Sequence, residues 1–391
     1  MRRILTIFGT RPEAIKLAPV IQRAREAGGE VQVCTTGQHR EMLDQVLDLF
    51  AIRPDFDLRV MQPDQDLSLL TARILEKLAG IIQRASPELV LVQGDTTTAF
   101  SAALAAFYAK IPVAHVEAGL RTCNLHSPFP EEAMRQLISR LASLHFAPTE
   151  RNAQALMAEG VAADRVFVTG NTVIDALFEV AGLVSRGERM DLLQLPPSTV
   201  EKLAGGRRMV LITGHRRENF GTGFERICSA FHELAEAFPQ SLFVYPVHLN
   251  PNVRRPVEKM LSSVANIELI DPVNYYTFVY LMDRATLIIS DSGGVQEEAP
   301  SLRKPVFVTR ENSERMEIVE CGAVKLVGTD PAAIVREVTL ALQDQSVYQR
   351  MLLDRNPYGD GHAAHRIVEI LLRDDAAGAP GRASYASVPG R

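Results

Sequence analysis

Short apolar runs alternate along nearly the whole chain with longer segments in which apolar residues recur three and four positions apart. The short runs are typical of strands buried on both faces of a sheet, and the longer segments have the period of amphipathic helices. Strands that alternate with helices in this way build βαβ units, in which consecutive strands are parallel. The pattern therefore predicts an α/β fold with parallel sheets.

The alternation predicts two groups of strands. The first group comprises residues 4–8, 31–35, 89–93, 112–116, 144–147 and 166–169, with helices at 13–27, 39–50, 67–84 and 96–108. The second group comprises residues 209–213, 242–245, 267–270, 287–290, 305–308 and 324–327. At about 150 residues per domain, 391 residues suffice for two domains, so each group is assigned to one domain.

Composition along the chain suggests where these domains begin and end. We predict an N-terminal Rossmann-like domain at 1–170, a polar, Gly- and Pro-containing connection at 171–200, and a C-terminal Rossmann-like domain at 201–360. A C-terminal helix at 361–372 is a candidate to join the first domain. The tail at 374–391 is rich in Ala, Gly, Ser and Pro and is predicted to be disordered.

Composition and charge exclude several classes of protein. The net charge is −5 and the chain has no Trp, so we expect no nucleic-acid partner. The four cysteines lie far apart without a CxxC pair, which argues against a disulfide framework and a zinc site. No apolar stretch approaches the ~20 residues of a membrane span, and the run at 4–8 is too short for a signal peptide. We therefore expect a cytoplasmic protein without a membrane partner.

A glycine turn follows the first predicted strand. Gly9 opens the turn, Arg11 lies within it, and Lys16 follows in the next predicted helix. Backbone N–H groups at a helix start and two nearby cations together suit an anion such as phosphate. An ordinary turn glycine with two solvated cations explains the same residues, because the segment matches neither GxGxxG nor the Walker loop.

A second glycine turn lies in the other half of the chain, where Ser292, Gly293 and Gly294 open a helix behind an apolar strand. Phosphate oxygens can approach the bare backbone of the two glycines, and the helix dipole favours their charge. Glu298, one turn further along, can accept hydrogen bonds from the two hydroxyls of a ribose. The alternative is a capped helix whose acidic first turn serves stability alone.

A group of cationic side chains follows the predicted strand 209–213, where His215, Arg216 and Arg217 are consecutive. A diphosphate partner would explain this density of donors at the carboxyl edge of the second sheet. A basic surface turn paired with the adjacent Glu218 is the alternative.

Three carboxylates are predicted at one edge of the first sheet. Asp95 and Glu117 each follow an apolar strand, and Glu131 begins a helix after Pro130. Any one of them alone is more often a cap or turn residue. Neighbouring, partly desolvated carboxylates can differ in pKa, so that one acts as an acid and another as a base. At a helix start the dipole favours the ionised form of Glu131, which suits a base.

Six segments of the chain form an ordered set of motifs. They read FGTRPEAIK at 8–16, GDTT at 94–97, VEAGLR at 116–121, PFPEE at 128–132, HRREN at 215–219 and DSGGVQEEAP at 291–300. This set, within a match from about residue 3 to residue 372, resembles the bacterial non-hydrolysing UDP-N-acetylglucosamine 2-epimerases. The resemblance implies a GT-B-like architecture, in which two Rossmann-like domains place their parallel sheets on either side of a central cleft, and a homodimer.

The resemblance also implies an activity. Members of the family interconvert UDP-GlcNAc and UDP-ManNAc reversibly by eliminating UDP to 2-acetamidoglucal and adding it back. They use neither a metal nor NAD, so no cofactor is expected, and the product supplies ManNAc-type sugars for cell-surface polysaccharide.

The same resemblance implies roles for individual residues. The diphosphate is expected on Arg11, Lys16, His215, Ser292, Gly293, Gly294 and Arg315. The ribose is expected on Glu298 and the uracil on Phe278. The catalytic roles on the sugar are assigned to Asp95, Glu117, Glu131 and His215.

Bacterial members of the family carry a second nucleotide-sugar site, through which UDP-GlcNAc activates its own epimerisation. The resemblance places Gln38, Glu41, Arg216 and His248 in this allosteric site. Glu41 stands where some members have Gln, and a capping or core histidine is an alternative for His248.

Three other functions remain open from the sequence. One is a 2-epimerase of a related UDP-diacetamido or uronic sugar. Another is a GT-B glycosyltransferase with a UDP-sugar donor, which would share the phosphate, ribose and uracil contacts. The third is a nucleotide-sugar binding protein without chemistry. Moving a proton off one face of C2 and back onto the other suits several acid and base groups, so the three carboxylates favour an epimerase.

Overall fold

The structure is a computed structural model that describes residues 2–37, 40–61 and 65–373. The tail predicted at 374–391 lies outside these residues. The chain divides into two compact units. Unit 1 comprises Met1–Thr172 with His362–Arg391, and unit 2 comprises Val173–Gly361.

Unit 1 is built around one parallel sheet. Its strands are β1 (Arg3–Phe8), β2 (Glu30–Thr35), β3 (Phe56–Asp57), β4 (Leu89–Gln93), β5 (Val113–Val116), β6 (Leu144–Ala147) and β7 (Val166–Val168). They pair in the order β3-β2-β1-β4-β5-β6-β7. The helices between them are α1 (Arg11–Glu26), α2 (Arg40–Leu49), α3 (Leu67–Ala85), α4 (Thr97–Tyr108), α5 (Glu131–Leu141) and α6 (Glu150–Ala158).

Unit 2 repeats this plan with its own parallel sheet. Its strands are β8 (Met209–Thr213), β9 (Leu242–Pro246), β10 (Ile267–Ile270), β11 (Leu287–Ser290), β12 (Val306–Val308) and β13 (Val324–Leu326), in the order β10-β9-β8-β11-β12-β13. The helices are α7 (Thr172–Ser185), α8 (Pro197–Ala204), α9 (Thr222–Ala237), α10 (Pro251–Leu261), α11 (Tyr275–Arg284), α12 (Gly293–Glu298), α13 (Met316–Glu320), α14 (Pro331–Gln343) and α15 (Gln345–Arg350).

The last helix, α16 (Ala363–Leu371), belongs to unit 1, where it packs on α1. Two hydrogen bonds hold it there. Arg366 donates to the carbonyl of Thr169 at 3.0 Å, and Arg2 donates to the carbonyl of Leu371 at 2.8 Å. The chain therefore crosses from unit 1 to unit 2 and back again.

The α/β fold class with parallel sheets is confirmed. Every strand predicted from the apolar runs is present, and the predicted ends agree with the observed ones to within one residue. The one strand in the described residues that the sequence did not predict is β3, which is only two residues long. These strands read as continuous apolar runs because they are covered on both faces; all five residues of β4, for example, are buried.

The segment predicted as a polar connection at 171–200 is structured. It contains α7, a 3₁₀ turn at Met190–Leu192 and the start of α8, and residues from Val173 onward belong to unit 2. Asn274 donates from its side chain to the carbonyl of Leu192 at 2.7 Å, and Tyr276 donates to the carbonyl of Glu188 at 2.6 Å. Many of the polar residues of segment 171–200 therefore lie on the exposed faces of helices and turns that pack on the rest of the protein.

None of the helices in the described residues combines the length and the apolar character that a membrane crossing needs.

The turn after β1 requires a residue without a side chain. A Cβ atom at Gly9 would overlap Oγ1 of Thr36 and lie 2.5 Å from Oγ1 of Thr98. These two hydroxyls are buried and hydrogen-bonded to each other at 2.9 Å, so neither can move away freely. Gly9 therefore allows β1 to lead into α1 at a point where β2 and α4 come close.

We predict that Gly9→Ala lowers the free energy of unfolding by on the order of 1 to 3 kcal/mol, the usual cost of overpacking. Gly80→Ala is the matched control. It lies exposed in α3 with no atom within 4 Å of the added Cβ, so it should raise stability by about 0.5 to 1 kcal/mol. Urea denaturation measures both, and equal effects would contradict the close approach at Gly9.

Two buried histidines lie side by side in the sheet of unit 1. His115 in β5 pairs in register with His145 in β6, and the residues are 0% and 1% exposed. Burial lowers the pKa of His115 to about 4 and that of His145 to about 3. Both rings are therefore neutral in the folded protein at pH 7.

These depressed pKa values make stability depend on pH. The unfolded chain protonates each ring near its ordinary pKa of 6.5, whereas the folded chain does so only near 4 or 3. The stabilising contribution is therefore complete above pH 6.5 and is lost as the pH falls toward the folded values. Between pH 7 and pH 5 we expect a loss of about 2 kcal/mol per ring.

In His145→Leu, the free energy of unfolding should fall by about 2 kcal/mol less between pH 7 and pH 5 than in the wild type. Urea denaturation at the two pH values measures this difference. His232→Gln is the control, because the His232 side chain in α9 is 42% exposed. An unchanged pH dependence in His145→Leu would show that His145 is not buried in its neutral form.

Candidate active site

The carboxyl ends of β4 and β5 bring two of the predicted carboxylates to one edge of the sheet in unit 1. The parallel register pairs Gln93 with Val116, so Asp95 and Glu117 follow neighbouring strand ends. Glu117 has a φ of +63°, in the left-handed region that non-glycine residues adopt rarely. Strain of this kind is frequent at functional sites, where the surrounding contacts hold it in place.

Polar side chains from three other elements hold the carboxylate of Glu117. Lys16 on α1 donates to both of its oxygens, at 2.7 and 2.5 Å, and Gln93 donates to Oε2. Asn171 donates to Oε1 at 3.2 Å. Lys16, which the resemblance assigns to the diphosphate, thus contacts a carboxylate of the predicted sugar site in this structure.

Asp95 is paired with a cation that the sequence analysis did not single out. Arg135 on α5 directs Nε and Nη2 to Oδ2 of Asp95, each at 2.7 Å. The same guanidinium donates to Glu132 at 3.3 Å. Burial alone would raise the pKa of Glu132, but the Thr122 N–H, Gln136 and Arg135 outweigh it, and the pKa is lowered. The spacing of Glu132 and Arg135, three residues apart on a helix, was the available signal.

Glu131 differs from the other two carboxylates of the set. It is the first residue of α5, and its Oε2 atom is buried without a hydrogen-bond partner among the described residues. A buried carboxylate oxygen that lacks a protein donor is costly, so such an atom is typical of a site where a ligand supplies the missing contact.

In the turn after β1, two backbone N–H groups donate hydrogen bonds to the side chain of Glu13. Glu13 is buried and accepts hydrogen bonds from the N–H groups of Gly9 at 3.0 Å and Thr10 at 2.8 Å. It also accepts from the hydroxyl of Thr96 at 2.6 Å. Burial raises the pKa of Glu13, while these hydrogen bonds act in the opposite direction. In this structure the two N–H groups are therefore taken up by Glu13, and the anion site predicted at this turn stays a prediction.

In unit 2, hydrogen bonds to a buried aspartate link the segment after β11 to the segment after β8. Asp291 follows β11, and its Oδ2 accepts from the N–H groups of His215 at 2.9 Å and Arg216 at 2.8 Å. Nδ1 of His215 lies 3.6 Å from Oδ1 of the same carboxylate. The His215 ring stacks on His248 with a centroid distance of 5.5 Å. A residue assigned to the sugar chemistry and one assigned to the allosteric site are thus neighbours.

Arg315 lies directly on the glycine turn that opens α12. A Cβ atom at Gly293 would be 2.8 Å from Cζ of Arg315, so a side chain at this position would displace the guanidinium. Two carboxylates orient it, because Nε donates to Glu297 at 2.8 Å and Nη1 donates to Glu314 at 2.9 Å. Ser292 is the N-cap residue of α12 and lies beside the same turn.

Arg310, which the sequence analysis missed, completes a group of three arginines with Arg216 and Arg315. Burial lowers the pKa of Arg216, and the charges of Arg310 and Arg315 lower it further, while Glu314 opposes them. Arg310 is 8% exposed and donates to Glu218 at 2.7 Å. In the described chain, Nε of Arg216 and Nη1 of Arg310 are buried without a hydrogen-bond acceptor, although Nη1 of Arg310 lies 3.7 Å from Oε2 of Glu314. Unmatched N–H groups in such a cluster suit an anion.

A hydrogen bond links the two helices of unit 2 that carry the residues assigned to the nucleoside. Glu298 at the end of α12 accepts a hydrogen bond from the hydroxyl of Tyr275 at 2.5 Å. Tyr275 lies in the first turn of α11, one helical turn before Phe278, whose ring is partly exposed. Tyr275 was not predicted as a site residue.

The structure does not describe all of the predicted allosteric residues. Gln38 lies outside the described residues, and only the backbone of Glu41 is described, near the start of α2. The second nucleotide-sugar site therefore stays a prediction.

Over residues 2–37, 40–61 and 65–373, no group of three or more His, Cys, Asp and Glu side chains could hold a metal ion.

Comparisons with known proteins cover nearly the whole chain. A family model described as UDP-N-acetylglucosamine 2-epimerase matches residues 22–372. The UDP-N-acetylglucosamine 2-epimerase of Yersinia pestis is 54% identical over 373 residues, which are 94% of this chain and 98% of the relative. That of Escherichia coli strain K12 is 54% identical over 370 residues, with the same coverage of 94% and 98%.

A solved structure agrees with these relatives. The crystal structure of UDP-GlcNAc 2-epimerase from Neisseria meningitidis, bound to UDP-GlcNAc, is 48% identical to this chain with a TM-score of 0.86. The match covers 94% of this chain and 99% of that chain. It confirms the GT-B-like fold class. The family model, the relatives and the solved structure agree, and the chain belongs to the UDP-N-acetylglucosamine 2-epimerase family.

Proposed function

We propose that the protein epimerises C2 of UDP-GlcNAc to give UDP-ManNAc, and that it does so by eliminating UDP and adding it back. Family membership supports the activity, and the Neisseria structure holds UDP-GlcNAc. The observation that carries the mechanism is the contrast among the three carboxylates of unit 1. Asp95 and Glu117 are each held by a cation, whereas Oε2 of Glu131 is buried without a partner.

In the first half of the proposed reaction, Glu131 takes the proton from C2. The electron pair of the C2–H bond forms a double bond between C1 and C2, and the bond from C1 to the β-phosphate oxygen breaks. UDP leaves with that bonding pair, and the sugar becomes 2-acetamidoglucal. A carboxylate with an oxygen free of protein donors suits this step, because no hydrogen bond has to break before it accepts the proton.

In the second half, the β-phosphate oxygen attacks C1 again and C2 takes a proton on its opposite face. A group other than Glu131 has to deliver that proton, since Glu131 faces the side from which the first proton left. Asp95 and Glu117 are the other two carboxylates of the predicted set, and either can fill that role when it is in its protonated form, becoming a carboxylate as C2 takes the proton. Arg135 and Lys16 hold these carboxylates in place while the sugar changes its geometry.

The cations of unit 2 suit the leaving group. Departing UDP gains negative charge on its β-phosphate, and preorganised donors aimed at that charge lower the barrier. Arg315 lies on the Gly293 turn, and the buried N–H groups of Arg216 and Arg310 have no acceptor in the described protein. We propose that the diphosphate binds to these arginines and to His215. The same contacts would retain UDP for its return.

The nucleoside contacts are proposed for α11 and α12. Glu298 would accept hydrogen bonds from the ribose hydroxyls, and the partly exposed Phe278 would lie on the uracil. The names of the relatives favour UDP-GlcNAc over a related diacetamido or uronic sugar. A homodimer and a supply of ManNAc-type sugars for polysaccharide rest on the resemblance, a cytoplasmic location rests on the sequence, and all three stay predictions.

The proposed mechanism predicts that UDP-ManNAc formed in D2O from UDP-GlcNAc alone carries deuterium at C2, as read by NMR. A glycosyltransferase given UDP-GlcNAc alone, or a protein that only binds it, would form no UDP-ManNAc. An epimer that retains protium at C2 would rule out the elimination mechanism.

Glu131→Gln removes the proposed base while keeping the shape of the side chain. We expect turnover to fall by on the order of 10²- to 10⁴-fold. Glu150→Gln is the matched control, because Glu150 also begins a helix of unit 1 but is exposed. Turnover of Glu131→Gln at the level of this control would show that Glu131 is not the base.

The diphosphate assignment predicts that Arg315→Ala weakens UDP binding by about 1.5 to 3 kcal/mol, the scale of a charge-assisted hydrogen bond. Calorimetry with UDP measures the change. Arg226→Ala is the control, since Arg226 of unit 2 forms an exposed ion pair with Asp330. Arg315→Lys keeps the charge and should lose less affinity than Arg315→Ala. An unchanged affinity in both Arg315 variants would remove this residue from the site.

A further inference from the structure

His115 connects the two strand ends that carry Asp95 and Glu117. It lies in β5, two residues before Glu117, and is fully buried. Its Nε2 atom is 2.7 Å from the carbonyl oxygen of Gly94, the residue before Asp95. Because a carbonyl oxygen can only accept, Nε2 carries the hydrogen and donates it to Gly94.

The residue that receives this hydrogen bond is the pivot of the turn after β4. Gly94 has a φ of +72°, which glycine adopts without strain. Its N–H donates to the carbonyl of Val116 at 3.0 Å, so both backbone polar groups of Gly94 are held by β5. A Cβ atom at Gly94 would contact Oε2 of Glu117 at 3.9 Å, which places the turn against that carboxylate.

We propose that His115 is a positioning residue for the reaction. Its hydrogen bond to Gly94 sets the turn from which Asp95 projects and against which Glu117 lies. This inference rests on the proposed function, because it assigns His115 to the geometry of the carboxylates that act on the sugar. Displacement of a catalytic group by about 1 Å can lower turnover on the order of 10²-fold, so a single buried hydrogen bond is sufficient for such a role.

The charge state of His115 fits a positioning role. Burial is the main cause of its lowered pKa, and the nearby charges of Arg121 and Arg135 lower the pKa further, while Gly94 and Glu117 oppose them. The ring is therefore neutral at pH 7 and donates without adding a charge that would compete for Asp95 or Glu117. Its Nδ1 atom is buried without a hydrogen-bond partner in the described residues. Among the described residues, the His115 ring therefore forms a hydrogen bond through Nε2 and not through Nδ1.

Because only Nε2 of His115 bonds Gly94, two substitutions can separate the effect of this hydrogen bond from the effect of replacing the ring. The amide nitrogen of Gln can take the place of Nε2, whereas the amide of Asn reaches only about as far as Nδ1. His115→Gln should therefore restore the bond to Gly94, and His115→Asn should lose it. Both variants place a polar amide in the same buried position, so their difference isolates the hydrogen bond from a general effect of burial.

The experiment measures kcat and KM for the conversion of UDP-GlcNAc and the affinity for UDP. We expect kcat to fall by roughly 10- to 100-fold in His115→Asn and by no more than about threefold in His115→Gln. The affinity for UDP should change by less than about twofold in both, because the proposed diphosphate contacts of unit 2 do not involve this turn. An equal loss in the two variants, or none in His115→Asn, would overturn the proposal.

His145→Asn is the control for a purely structural effect. His145 is the register partner of His115 and is similarly buried, whereas the hydrogen bond to Gly94 comes from His115. It should retain the kcat of the wild type, and a loss equal to that of His115→Asn would overturn the positioning role.

Crystal structures of the two His115 variants provide a second readout that does not depend on turnover. We expect the Gly94–Asp95 turn and the Asp95 to Arg135 contact to shift in His115→Asn and to remain in His115→Gln. An unmoved turn in both variants would overturn the proposal. If the wild type shows no epimerisation, the proposed function fails, and these two structures still decide whether His115 positions the turn.

Discussion

The parallel register of β4 and β5 is the constraint on which the site in unit 1 depends. With Gln93 opposite Val116, the next residues of both strands emerge at the same sheet edge, which places Asp95 and Glu117 on adjacent turns. Parallel strands always end in this way on neighbouring positions, so chemistry accumulates at the carboxyl edge of such a sheet. A shift of one residue in this pairing would turn every side chain of the strand to the opposite face.

Ion pairs then determine how the carboxylates of unit 1 differ from one another. A buried carboxylate is stable only when it has a cation or hydrogen-bond donors, and Lys16 and Arg135 serve this purpose for Glu117 and Asp95. In unit 2 the same requirement acts on cations, since Glu297 and Glu314 hold Arg315. Buried polar atoms that have no protein partner, such as Oε2 of Glu131, are candidates for a contact with the substrate.

Much of the site could be predicted because the signals were local. Asp95, Glu117 and Glu131 were found from strand ends and a helix start, and Gly293 and Gly294 from a turn behind an apolar strand. Arg310 and Arg135 were missed, because their importance comes from partners that are distant in sequence or on another element. Glu13 was read only as part of a motif, although its carboxylate occupies the N–H groups of Gly9 and Thr10.

The sequence by itself determined the succession of strands and helices, since the period of apolar residues and the position of glycines act within a few residues. It also determined which side chains emerge at strand ends. Only the tertiary structure decided that β1 lies between β2 and β4 and that Lys16 pairs with Glu117, and it placed α16, which the sequence offered as a candidate for the first domain, in unit 1. Such choices depend on which distant segments bury each other's apolar surface and neutralise each other's charge, and no local pattern encodes that competition.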